Sequence, residues 1–237
     1  MKKRILSILL LCCMVLIMLP TTVLAADGPM DTIPKYDVSI DVYNRTSDIS
    51  IKDSRSYYIY SSVPDKLRDT WAWDKKIFIQ GDKAAPHVFI DGVNIKMSPS
   101  SKGPAIELNK KASAYLYFIG KDSTLQGADG RAAIQKNRSE GQLYVLARTG
   151  TTVTCKGGYR AAGIGGSWAI RNIGDSMFNM DMYGHGVNMH FGSQSNPDYW
   201  GGTINATGGE YGAGIGAGSW GHSGHSGNTI HGGAGER

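Results

Sequence analysis

One passage of this chain is written twice. Residues 152–165 read TVTCKGGYRAAGIG, and residues 203–216 read TINATGGEYGAGIG, 51 positions later. Thr152, Gly157, Gly158, Ala162, Gly163, Ile164 and Gly165 recur as Thr203, Gly208, Gly209, Ala213, Gly214, Ile215 and Gly216. A Ser-Trp pair follows each copy, Ser167-Trp168 and Ser219-Trp220. A short repeated unit cannot bury its apolar face alone. It must stack on its neighbours, so the repeat restricts the chain to a solenoid-like architecture.

The same unit recurs in weaker form from residue 87 onward. Each copy opens with an aromatic-aliphatic segment: HVFI (87–90), AYLYFI (114–119), QLYVL (142–146) and VNMHF (187–191). A second short segment follows: VNI (93–95), STLQ (123–126), TTVTC (151–155) and GTINA (202–206). A third closes the unit with small residues and an isoleucine: GPAIEL (103–108), RAAIQK (131–136), AAGIGG (161–166) and GAGIGA (212–217). Ile106, Ile134, Ile164 and Ile215 are spaced 28, 30 and 51, so the last interval holds an insertion, placed near residues 166–201. Upstream, residues 36–43, 48–52, 56–60 and 76–80 also read as short strands, and no stretch has a helical period. Three short strands per coil of about 28–30 residues predict an all-β fold, a single-stranded parallel β-helix. The small residues before each isoleucine are expected at corners. There a Cβ would crowd the adjoining rung, and glycine permits positive φ.

Residues 1–25 read as a secretory signal. Lys2, Lys3 and Arg4 precede an apolar run from Ile5 to Leu19, and Val23-Leu24-Ala25 is a small-residue cleavage site. Residues 26–35 read as a linker, 36–86 as N-terminal strands and cap, 87–218 as coils, and 219–237 as the Gly/His-rich start of an incomplete coil. The expected protein is secreted, associated with the cell surface and not inserted in the membrane after cleavage. The chain holds 25 basic and 20 acidic residues; three of the basic ones leave with the signal, so nucleic acid is not an expected partner. Of three cysteines, only Cys155 remains, and its counterpart in the second copy is Ala206. That pairing predicts a small buried residue and no intrachain disulfide.

The strings HVFIDGVNI, GPAIEL, TLQGADGRAAIQK, TVTCKGGYRAAGIGG and GGTINATGGEYGAGIGAG resemble a family of secreted Firmicutes surface proteins. These are the carbohydrate-binding-domain-containing parallel β-helix proteins with GGTxxATGG and GAGIGGG repeats. The likeness covers roughly residues 48–233. It implies a right-handed parallel β-helix on the cell surface that binds polysaccharide, with acidic pectin-like glycans among the ligands. The chain departs from the family in a Met-rich insertion (176–189), in its two close tryptophans and in its abrupt end. GNTIHGG (227–233) opens like another coil, which suggests truncation and an open solenoid end that could self-associate.

Aromatic residues are the candidate ligand contacts. If residues 64–76 form a strand, Trp71 and Trp73 share one face. Trp168 and Trp220 follow the same corner in two copies and are expected to line one edge with Trp200 and Tyr211. A repeating edge suits a polymer, because both repeat along a line. The alternatives are a structural or adhesive surface protein with a protein partner, and a calcium-dependent polysaccharide lyase. The lyase needs clustered carboxylates, whereas Asp91, Glu107, Asp122, Asp129, Glu140, Asp175, Asp181 and Glu210 are scattered. No catalytic residue and no cofactor is therefore assigned, and calcium is the only metal kept in view. His222, His225 and His231 lie in a glycine-rich tail without the supporting ligands zinc needs. GAGIGA (212–217) fits a dinucleotide-binding string, but no helix pattern follows it.

Overall fold

The computed structural model describes residues 35–98, 103–109, 111–136, 140–171, 186–193, 198–222 and 231–232. The signal and most of the linker, the Met-rich insertion up to residue 185, and His225 lie outside them. Every described residue belongs to one compact unit, residues 33–237.

Strands follow one another in coils. The first has β1 (Val38–Asp41) and β2 (Ile49–Ile51); the second has β3 (Ser56–Tyr60) and β4 (Ile77–Gln80). The third has β5 (His87–Asp91), β6 (Ile95–Lys96) and β7 (Ile106–Asn109); the fourth has β8 (Ala114–Ile119), β9 (Ser123–Gln126) and β10 (Ile134–Lys136). The fifth has β11 (Leu143–Ala147), β12 (Thr152–Lys156) and β13 (Ile164–Gly165). After β14 (Ala169–Arg171) in the insertion, the sixth has β15 (Met189–Phe191), β16 (Thr203–Thr207) and β17 (Ile215–Gly216). Then come β18 (Ser219–His222) and β19 (His231–Gly232). The first strands of the coils form sheet A (β1-β3-β5-β8-β11-β15), the middle strands sheet C (β6-β9-β12-β16) and the last strands sheet B (β2-β4-β7-β10-β13-β17). All neighbours within these three sheets are parallel. The protein is a parallel β-helix, as the period predicted.

Period-2 alternation sends one set of side chains inward and stacks them rung on rung. On sheet B, Ile49, Ile77, Ile106, Ile134, Ile164 and Ile215 pair successively in one column. The first five are almost fully buried, and Ile215, on the last coil, is 46% exposed. On sheet C the inward column is Trp73, Ile95, Leu125, Cys155 and Ala206. Burial pushes the Cys155 thiol up to about 12. In a chain with Cys12 and Cys13 replaced by serine, Cys155 should therefore resist alkylation by iodoacetamide at pH 8 and react only after unfolding. Rapid labelling of the folded chain would refute this placement.

The corners hold one expectation and correct another. A Cβ on Gly163 would collide with the carbonyl oxygen of Gly214, and one on Gly212 with that of Ala161, so the adjoining rung does crowd these small residues before the isoleucines. Positive φ, however, falls elsewhere. It occurs at the aligned corner positions Gly130, Arg160 and Tyr211 (φ 74°, 62° and 65°), and two of these are not glycine. Such residues are tolerated in a left-handed turn where packing holds them, at a cost of about 1 kcal/mol or more each.

Candidate functional site

A β-helix core dictates only the inward positions. The outward ones are free, and here the three faces differ. Sheet C carries Thr124, Thr152, Thr154, Thr203, Asn205 and Thr207 outward, flanked by Lys96 and Lys156. Sheet B carries Ser50, Phe78 and Glu107. Sheet A is aromatic.

In β8, Ala114, Leu116 and Phe118 point inward, which sends Tyr115 and Tyr117 outward. Register then builds columns. His87, Tyr115, Tyr144 and His190 pair successively. Their ring centroids lie 4.6, 4.5 and 4.5 Å apart, with interplanar angles of 3°, 5° and 15°. The next column runs through Tyr58, Phe89 and Tyr117, and Phe89 stacks on Tyr117 at 4.9 Å. Tyr58, Phe89 and Ile119 form a second apolar cluster outside the solenoid, with Tyr60, Tyr117 and Trp200 against it.

Polar atoms tie the columns together. The Tyr117 hydroxyl shares a 3.1 Å hydrogen bond with His87 Nδ1, and the Tyr58 hydroxyl donates to Asp91 Oδ2 at 2.9 Å. The Lys121 backbone N–H donates to Asp91 Oδ1 at 2.9 Å, and His190 Nε2 donates to Gln142 Oε1 at 2.7 Å. Burial holds His87 below its ordinary value and pushes Tyr117 up to about 12. Burial, and then Asp91, raises Tyr58. These tyrosines and His87 are therefore uncharged at neutral pH.

Stacked rings cover one another's faces. Sheet A thus presents ring edges, hydroxyls and imidazole nitrogens to solvent. Trp200 is different. It stands over Tyr117 at 5.2 Å and 43°, and perpendicular to Tyr199 at 4.6 Å. Its loop is fastened to the fifth coil by Thr149 N–H to the Tyr199 carbonyl (2.8 Å), Gly202 N–H to the Ala147 carbonyl (3.0 Å) and Gly201 N–H to Thr149 Oγ1 (3.1 Å).

The remaining sequence candidates are dispersed. Residues 64–76 are not a strand. Asp65–Leu67 forms a 3-10 turn, and Trp71 N–H donates to the Leu67 carbonyl at 2.8 Å. Trp73 is 4% exposed, bridges to Ile95 and donates Nε1 to the Arg45 carbonyl at 2.7 Å. Trp71 is partly buried against the core and edge-on to Tyr43 at 5.5 Å. The expected exposed pair is thus absent, because a turn breaks the alternation that would have aligned it.

Trp168 and Tyr211 do come together. The Arg160 guanidinium lies 5.1 Å from the Trp168 ring, 5.9 Å from Tyr211 and 4.9 Å from Tyr159. Tyr159 and Tyr211 are exposed. Trp220 does not repeat Trp168. Strand β18 pairs Trp220 with Ala169, because the Ser-Trp pairs are 52 residues apart while the coils are 51 apart. The Trp220, His222 and His231 side chains lie outside the described set. Among the described residues, no three His, Cys, Asp or Glu side chains gather closely enough to hold a metal.

Sequence reasoning placed Trp200 on one edge with Trp168, Tyr211 and Trp220, whereas the structure sets it over Tyr117 on sheet A and apart from the Arg160 cluster, and the ladder beneath it was missed. The signal was there: the first outward residue of each unit is His87, Tyr115, Tyr144 or His190. No family model matches this chain, and neither curated proteins nor solved structures give a match.

Proposed function

We propose that this chain is a secreted, non-catalytic cell-surface protein that binds polysaccharide along the outer face of sheet A. The carrying observation is the concentration of aromatic rings on one outer face of three. Core packing does not require it, and exposed aromatic area on a secreted protein commonly marks a binding surface. The ladder repeats once per rung, as a polymer repeats along its length. Trp200 contributes the ring whose face is least covered by a parallel neighbour. Each contact would be weak, with affinity accumulating along the polymer. The resemblance of the repeats to carbohydrate-binding surface proteins points the same way.

The test is retention of the full chain on insoluble polysaccharides. Trp200→Ala with Tyr144→Ala should weaken retention about tenfold or more, since removing stacked rings costs on the order of 1 kcal/mol each. Unchanged retention by a variant with parental circular dichroism would overturn the site.

One observation favours the adhesive alternative. Tyr159, Arg160, Trp168 and Tyr211 are the residue types that dominate protein-binding hot spots. Phe191 and Ile215 on the sixth coil are 38% and 46% exposed, a further apolar area available to a protein partner.

A further inference from the structure

We infer that the sheet A face takes a neutral glycan and excludes polyanions such as polyuronates. This rests on the reading above and narrows it. It also departs from the acidic ligands that the resemblance implies.

The argument is one of charge. The outward positions of β1, β3, β5, β8, β11 and β15 include Asp41 and Asp91 and no Lys or Arg. Two of the cations at the margins are paired with carboxylates. Arg55 pairs with Asp53 at 2.9 Å, and Lys121 Nζ with Asp65 at 2.7 Å. Arg148, beside the Trp200 loop, lies 5.5 Å over the Tyr199 ring. A carboxylated polymer laid across the face would meet a fixed carboxylate at Asp91, at the end of β5 in the column with Tyr60 and Ile119, with no Lys or Arg on the strands of sheet A to offset it. Like charges brought together on a partly desolvated surface oppose binding.

A neutral sugar meets the opposite situation. Its hydroxyls find acceptors in the Asp91 carboxylate and two-way partners in the Tyr115 and Tyr144 hydroxyls. Its apolar C–H face finds the Trp200 ring. The fold does place lysines on an outer face, but on sheet C, where Lys96 and Lys156 alternate with Gln126 in one column. The cationic and the aromatic surfaces are therefore on different sides of the solenoid.

The experiment compares retention of the full chain on cellulose and β-1,3-glucan with retention on cross-linked polygalacturonate, at 50 and 500 mM NaCl. Parallel runs use Trp200→Ala, Trp200→Phe and the pair Lys96→Ala/Lys156→Ala, each checked for parental circular dichroism. The expected result is retention on a neutral glycan that changes less than about twofold with salt. It should fall about tenfold with Trp200→Ala and survive in Trp200→Phe. Salt-sensitive retention on polygalacturonate that is lost with Trp200→Ala would overturn the neutral class while leaving the sheet A reading intact. Retention on polygalacturonate that is lost only with the lysine pair would overturn the choice of face. Failure to retain on any of the three would overturn both readings.

Discussion

Replacing Trp73 by alanine is expected to destabilise the protein by about 3–5 kcal/mol, a large fraction of the ~5–15 kcal/mol that holds a typical domain folded. The indole heads the inward column that continues through Ile95, Leu125, Cys155 and Ala206. It is 4% exposed and belongs to the main core cluster. Its removal would leave a cavity under the second coil, and a coil can close only as far as its ladder hydrogen bonds permit. Those bonds are already made. Trp73 N–H donates to the Asn94 carbonyl at 2.8 Å, and Lys96 N–H donates to the Trp73 carbonyl at 3.0 Å. Trp73→Phe separates the two contributions. It keeps most of the ring and loses the bond to the Arg45 carbonyl, so it should cost less than Trp73→Ala; the bond itself contributes about 1 kcal/mol. Urea unfolding of the two variants measures both. A loss below 1 kcal/mol for Trp73→Ala would mean that the ring is not a core element.

The second large effect runs the other way. Lys136→Met is expected to raise stability at pH 7 by about 1–3 kcal/mol. Lys136 occupies an inward column whose other members are Ile51, Ile79 and Leu108, and it is 1% exposed. Its Nζ donates to the Glu140 carbonyl at 3.0 Å. Burial lowers its pKa to about 8 from an ordinary 10.5. Between those values the unfolded chain holds a proton that the native chain has released. Stability therefore rises with pH across that window, and the cost of about 3 kcal/mol is felt in full below pH 8. Cys155, whose thiol is raised, opposes this above pH 9, because the unfolded thiol ionises first. The thiol is common to both proteins, so the difference between parent and Lys136→Met isolates the lysine. That difference should be largest at pH 7 and shrink toward pH 10.5. A difference that stays constant with pH would show that Lys136 titrates normally.

Lys136 also marks a limit of pattern reading. In RAAIQK it looks like the polar end of a strand. Only the pairing of Lys136 with Leu108 reveals that it points inward. The isoleucines posed no such difficulty. Each follows small residues at the same place in a unit, and the register unites the four found from the sequence with Ile49 and Ile77. Cys155 was legible for the same reason, since its partner on the next rung is the alanine of the second copy. The candidate site was only partly legible. Trp200 was read only as a member of an aromatic edge with Trp168 and Tyr211, and Tyr115 and Tyr144 looked like ordinary strand aromatics until stacking joined them.

Pattern alone was sufficient for the solenoid, the three strands of each coil from residue 87 onward and the isoleucine column. Burial acts on each coil in the same way, so it writes the same residue classes at the same interval, and the interval can be read without coordinates. Tertiary structure alone decided what lies outside. Whether His87 meets Tyr115, whether Trp200 reaches Tyr117, and whether Trp73 faces solvent or core all depend on turns and insertions that do not repeat. A single-residue excess between the Ser-Trp pairs was enough to put Trp168 and Trp220 out of register. Outer positions carry no periodic constraint, so their arrangement emerges only when rungs distant in sequence are laid side by side.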